Sequence, residues 1–102
     1  MMRSEGYLEL PNGRVWWRCE GTGDALPVLL LHGGRGAANY YIEPFAEHLA
    51  QHRPVIIFDQ LGCGRSDKPD KPSLWTLDRA CQELDDVRAA LCLDRCHLWG
   101  QL

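Results

Sequence analysis

The 102 residues predict an α/β fold in which an antiparallel hairpin leads into a parallel β-α-β-α-β unit, and three observations carry that expectation. Asn12-Gly13 lies between two β-prone runs, a strong short-range hairpin signal. Two later runs, residues 28–31 (VLLL) and 54–58 (PVIIF), are apolar without alternation, as strands covered on both faces are. Between and after them apolar residues recur at three-and-four spacing, the period of a helix with one buried stripe.

The elements follow in order. Residues 7–10 (YLEL) and 14–19 (RVWWRC) are the hairpin strands, joined by Pro11-Asn12-Gly13. Glu20 to Asp24 is a glycine-bearing loop before the first buried-type strand. Over residues 41–51, Ile42, Phe45, Ala46, Leu49 and Ala50 form one helical stripe, with Pro44 where a first turn tolerates it. After the strand at 54–58, residues 61–73 form a loop punctuated by Gly and Pro. Thr76 is the expected N-cap of a second helix with Leu77, Ala80, Cys81, Leu84, Val87 and Leu91 on one face. A last strand is expected over 95–99, ending at Gly100.

Strands alternating with helices of this length imply right-handed crossovers and a largely parallel sheet. Ligands of such sheets gather at the carboxyl ends of the strands. The three unusual loops, after Leu31, after Phe58 and after Trp99, all fall there, so topology alone predicts one cleft.

Composition narrows the function classes. Apolar residues make up 45% and charged residues 25%, ordinary for a globular domain, so a single domain spanning 1–102 is expected. A net charge of -3 without a charge run points away from nucleic acid or an anionic membrane as partner. No apolar stretch approaches the ~20 residues that span a bilayer, and the N-terminus has no apolar signal core, so a cytoplasmic location is expected. Five scattered cysteines are an odd number and a poor disulfide framework; they read as free, buried, structural thiols. Cys92, Cys96 and His97 lack a second ligand pair at metal-site spacing, so neither a metal nor a cofactor is expected.

The first loop, His32-Gly33-Gly34-Arg35-Gly36, places three glycines in five residues and lets backbone N–H groups face a ligand with no side chain in the way. The second, Asp59-Gln60-Leu61-Gly62-Cys63-Gly64-Arg65-Ser66, occupies the equivalent place on the neighbouring strand. The third, Gly100-Gln101-Leu102, begins like a nucleophile elbow, G-x-S-x-G, with Leu102 where the serine would stand. His32, His48, His52 and His97 read as structural rather than catalytic.

The combination LLLHGGRG, FDQLGCGRSDKP, SLWTL and HLWGQ resembles the N-terminal region of α/β-hydrolases of the proline iminopeptidase type, a serine peptidase family. The resemblance covers the chain from about Tyr7 onward and implies the first half of an α/β-hydrolase fold, cut off at the nucleophile elbow. It implies that 32–36 matches the family's H-G-G-P-G oxyanion loop, with Arg35 where the family has proline and the N–H of Gly34 as an oxyanion-hole donor. Such donors contribute about 3–4 kcal/mol each to the transition state in serine hydrolases. It implies further that Asp59, Gln60, Gly62, Gly64 and Ser66 shape the cleft wall and that Gly100-Gln101 enters the elbow. The complete enzymes release an N-terminal residue, often proline, from a peptide or amide through an acyl-enzyme.

Leucine has no nucleophilic atom, and the family's acid, histidine and cap would follow residue 102, so the chain is expected to lack hydrolytic activity of its own. A complementing chain or self-association is the expected partner, because the strand ending at Trp99 would be an uncovered edge. Three rival readings remain. One is a noncatalytic pseudoenzyme or interaction fragment, and another is a different α/β-hydrolase such as an esterase or epoxide hydrolase. The third is a Rossmann-like dinucleotide module, which residues 28–36 and Asp59 imitate but for Asn39 at the third glycine's place.

Overall fold

The computed structural model describes residues 3–33 and 39–100, the side chain of Asn39 excepted. Strands β1 (Arg3–Leu10) and β2 (Gly13–Glu20) form the expected hairpin, with Leu10 opposite Gly13 across the Asn12-Gly13 turn. Then come β3 (Val28–Leu31), a 3-10 turn at Asn39–Tyr41, helix α1 (Glu43–Leu49) and β4 (Val55–Phe58). A second 3-10 turn, Pro72–Leu74, precedes helix α2 (Leu77–Ala90), and β5 (His97–Gly100) follows.

The strands form one mixed sheet in the order β1-β2-β4-β3-β5. β2 runs antiparallel to β4, whereas β3 lies parallel to both β4 and β5. The unbroken apolar runs are explained by two cores. Val28, Leu30, Val55 and Ile57 face α1 and meet Ile42, Ala46 and Ala50. Leu29, Ile56 and Phe58 point the other way and pack with Val15, Leu61 and Val87 of α2. Because strand side chains alternate between faces, a strand buried on both can carry no polar position.

Helix starts follow local chemistry. Pro44 sits in the first turn of α1, where a missing N–H costs nothing. The Thr76 hydroxyl accepts a 3.2 Å hydrogen bond from the Arg79 N–H and caps α2.

Several expectations are corrected. The first helix is shorter than 41–51 because Asn39–Tyr41 winds as a 3-10 turn before it. Phe45 of its stripe is 40% exposed, and its ring sits 5.2 Å from that of Trp99. The apolar face of α2 is buried only from its middle: Val87 is buried and Leu84 and Leu91 are partly so, while Leu77, Ala80 and Cys81 are exposed. The last strand begins at His97 rather than Arg95, and all four of its residues are exposed at the sheet edge. The cysteines are all free, yet only Cys63 is buried, and Cys81 and Cys92 are exposed. No helix of the described residues is long and apolar enough to cross a membrane.

Candidate active site at the carboxyl ends of the parallel strands

Register brings the first residues of the three loops together. Leu31 pairs with Phe58 on one side and with Gly100 on the other, so β3, β4 and β5 end at one level. His32 and Gly33, Asp59 and Gln60, and Gly100 therefore share one edge of the sheet. Gly34, Arg35, Gly36, Gln101 and Leu102 lie outside the described residues. Gly100 itself is not demanded by its described neighbours, since a Cβ there would meet Leu31 at ordinary contact distances of 3.8–3.9 Å.

His32 is 1% exposed and is bonded at both ring nitrogens. Its Nε2 accepts from the Gln60 N–H at 3.0 Å, and its Nδ1 lies 3.2 Å from the Gly33 carbonyl. An amide N–H can only donate and a carbonyl can only accept, so the ring is neutral with its proton on Nδ1. The Gln60 side chain returns a 2.7 Å bond to the His32 carbonyl, doubling the link between the two loops. Burial holds the imidazole below the ordinary histidine range, against the Gly33 carbonyl and the Asp59 charge, which both favour the cation. On the other side the Tyr41 hydroxyl accepts the Gly33 N–H at 2.6 Å. That N–H is thus occupied within the chain.

The second loop is knitted to β2. Ser66, 4% exposed, donates its hydroxyl to the Asp59 carbonyl and accepts the Trp16 N–H at 2.9 Å. Asp67 accepts the Arg14 N–H at 2.8 Å, and its own N–H reaches the Arg14 carbonyl at 3.0 Å. Asp59 is fully buried, with Oδ2 accepting the Arg65 N–H at 2.9 Å and lying 3.5 Å from the Arg65 guanidinium. Gly62 has φ +85°, and an added Cβ would come within 2.7 Å of the Trp75 ring. Gly64 also has positive φ, at 50°. Asp59, Gly62, Gly64 and Ser66 thus fix the backbone path of the second loop. This arrangement removes the dinucleotide reading: a ribose-binding acid must face a ligand, whereas Asp59 is turned inward onto Arg65, and the hairpin strand β2 pairs directly with β4.

Sequence reading missed two further groups. Arg65 lies over the Trp16 ring at 4.1 Å and the Tyr40 ring at 4.6 Å, and its guanidinium is 3.3 Å from Glu43 Oε1. Arg18 reaches the same Glu43 oxygen at 3.2 Å, so α1, β2 and the second loop share one charge cluster. These partners are 22 and 25 residues apart, and no local pattern announces them.

The second is Glu83, which accepts the Leu61 N–H at 3.1 Å beside a cleft of ≈ 290 Å³ lined also by Gln60, Trp75 and Arg79. Burial raises the Glu83 carboxyl above its ordinary value, with the Leu61 N–H and Arg79 opposing. A folded pKa above the unfolded one means the folded chain holds more protons between the two values. The contribution of Glu83 to stability therefore falls as pH rises through that window, which starts near 4.5. Glu83→Gln keeps an acceptor for Leu61 and removes the buried charge. In denaturant titrations at pH 7 it is expected to match or exceed the parent, an advantage that fades towards pH 4.5. Glu83→Ala is expected to lose about 1–3 kcal/mol, because the Leu61 N–H loses its acceptor.

Comparison with known proteins agrees with this geometry. The chain is 44% identical over 100 residues to a proline iminopeptidase of Heyndrickxia coagulans, covering 97% of this chain and 34% of that one. A crystal structure of proline iminopeptidase from Mycobacterium smegmatis superposes with a TM-score of 0.86 at 34% identity, covering 96% of this chain and 35% of that one. A proline iminopeptidase-related protein from Thermus thermophilus gives 0.90 at 25% identity, covering 99% and 36%. The match falls on the N-terminal part of such proteins, and the chain spans about a third of the length of the curated relatives it matches. The family model described as alpha/beta hydrolase fold matches residues 27–101, from the residue before β3 to just past β5, and the chain belongs to that family.

Proposed function

We propose that this chain forms the oxyanion side of a serine hydrolase site of the proline iminopeptidase kind, which releases an N-terminal residue from a peptide or amide. The observation that supports it best is the convergence of His32-Gly33, Asp59-Gln60 and Gly100 at one sheet edge, in an order shared with relatives of that name. In this reading the N–H of Gly34 stabilises the developing oxyanion, Gln60 and the backbone-anchored loop to Ser66 form the wall, and Gly100-Gln101 opens the elbow. Tyr41 supports the loop by taking up the neighbouring Gly33 N–H.

The 102 residues do not complete the reaction alone in this proposal, because Leu102, at the serine's place, offers no atom for acyl transfer. In this reading acid, base and nucleophile lie outside these 102 residues, and β5, whose Leu98 and Trp99 are 56% and 39% exposed, is the strand against which they would be placed.

The test treats the purified chain with a serine-directed fluorophosphonate probe and prolyl p-nitroanilide. The assay is then repeated with a polypeptide matching the C-terminal two-thirds of a relative, which carries the serine. Neither labelling nor turnover is expected alone, and both are expected in the mixture. Turnover by the 102 residues alone would refute their dependence on further residues; an inert mixture that has associated would refute the hydrolase reading.

A further inference from the structure

We propose that His32 is a positioning residue: its neutral imidazole, carrying the proton on Nδ1, latches the loop after β3 to the loop after β4, and gaining a second proton releases that latch. The inference deepens the hydrolase reading and rests on it only for what the latch serves, namely the placement of the N–H groups that follow Gly33.

The geometry carries the inference. A ring with 1% exposure is held at both nitrogens by groups of opposite and invariable character, a carbonyl at 3.2 Å and an amide N–H at 3.0 Å. Protonation of Nε2 would turn an acceptor into a donor facing another donor, and the Gln60 N–H would lose its only route into the ring. The break is local to the site. It would leave the Gln60 side-chain bond to the His32 carbonyl as the remaining tie shown between the two residues. A histidine whose neutral form is selected by its partners is also a pH switch, set here below the ordinary histidine range by burial.

Among the described residues the surrounding charges are these. Asp59 at the end of β4 acts on the ring and favours its cation, and is itself ion-paired with Arg65. Glu43 of α1 is paired with Arg65 and Arg18, and the 3-10 turn before it contributes the Tyr41 hydroxyl, bonded to Gly33. β5 brings Gly100 to this end, and its titratable residue, His97, lies beside Val28 at the opposite end.

Stability follows with a definite sign. With the folded pKa below the unfolded value near 6.5, the unfolded chain binds more protons between the two. The contribution of His32 is complete above the unfolded value and is lost as pH falls to the folded one.

The test uses no substrate, so its failure is separate from that of the hydrolase reading. Long-range nitrogen–proton NMR of the full chain reports the protonation of each imidazole nitrogen, with exposed His48, His52 and His97 as internal references. At pH 8 the His32 ring is expected to show a protonated Nδ1 and a bare Nε2. On acidification the Gln60 amide resonance is expected to lose its downfield shift in step with protonation of His32. His32→Gln, which can offer Gln60 an acceptor that does not titrate near neutral pH, is expected to keep the Gln60 shift and lose the pH step.

A His32 proton on Nε2 at pH 8 overturns the proposal, as does a Gln60 amide indifferent to His32 protonation. A pH step that persists in His32→Gln overturns it too. Should that variant not fold, the wild-type spectra alone decide.

Discussion

Gly21→Ala is expected to remove about 3 kcal/mol of folding stability or more. Gly21 ends the hairpin at φ +89°, where an L side chain is strained by about 1–2 kcal/mol. A Cβ there would also lie 2.5 Å from the Arg53 carbonyl oxygen and 2.7 Å from that of Ala50. Those oxygens belong to the turn between α1 and β4, whose backbone bonds from His52 and Arg53 to the Leu49 carbonyl hold it in place. Relief requires moving backbone rather than rotating a side chain, and such overpacking costs about 1–3 kcal/mol more. Urea unfolding followed by tryptophan fluorescence measures the loss. A change under about 1 kcal/mol would show that the turn yields, and that β2 and α1 are less rigidly docked than the structure has them.

Ser66→Ala is expected to cost about 2–4 kcal/mol and to loosen the candidate cleft wall. The hydroxyl joins two buried backbone groups, accepting from Trp16 and donating to Asp59. Alanine removes both bonds at once, and each buried group left without such a partner costs about 1–3 kcal/mol. Hydrogen exchange at Trp16 should accelerate in the variant while the Leu30 and Ile57 amides, in the sheet centre, fall only by the global loss. Unchanged protection at Trp16 would mean that the loop closes onto β2 without the hydroxyl. In a complemented enzyme the same change should lower kcat through loop placement, although Ser66 touches no substrate in the proposed site.

These two residues show where local pattern stops being informative. Gly21 reads as one more loop glycine, and Ser66 as one polar residue in a loop of several. Each owes its importance to an approach from a distant segment, the turn after α1 in one case and β2 in the other. Sequence separation between Ser66 and Trp16 is 50 residues, and propensity has no reach over that distance.

The sequence by itself determined the hairpin, the alternation of strands and helices, the two-sided burial of β3 and β4, and the placing of the carboxyl ends of β3, β4 and β5 side by side. It could do so because each depends on a short-range signal: Asn12-Gly13 for the turn, unbroken VLLL and VIIF for buried strands, Thr76 for a helix start. The D-Q-x-G-x-G stretch was also legible as a glycine-bearing loop after β4, since glycine spacing is written locally.

Only the tertiary structure decided what the side chains of those loops do. The His32 tautomer is set by a carbonyl next to it and by an amide 28 residues away, which meet only when β3 and β4 pair. Asp59 and Ser66 face inward because β2 lies against β4, and Leu77, Ala80 and Cys81 stay exposed because nothing among the described residues covers the first turns of α2. The apolar period of that helix was read correctly as a stripe; its partner is a property of the packing. A stripe states which face can be buried, and the free energy of burial arises only where another surface excludes the water.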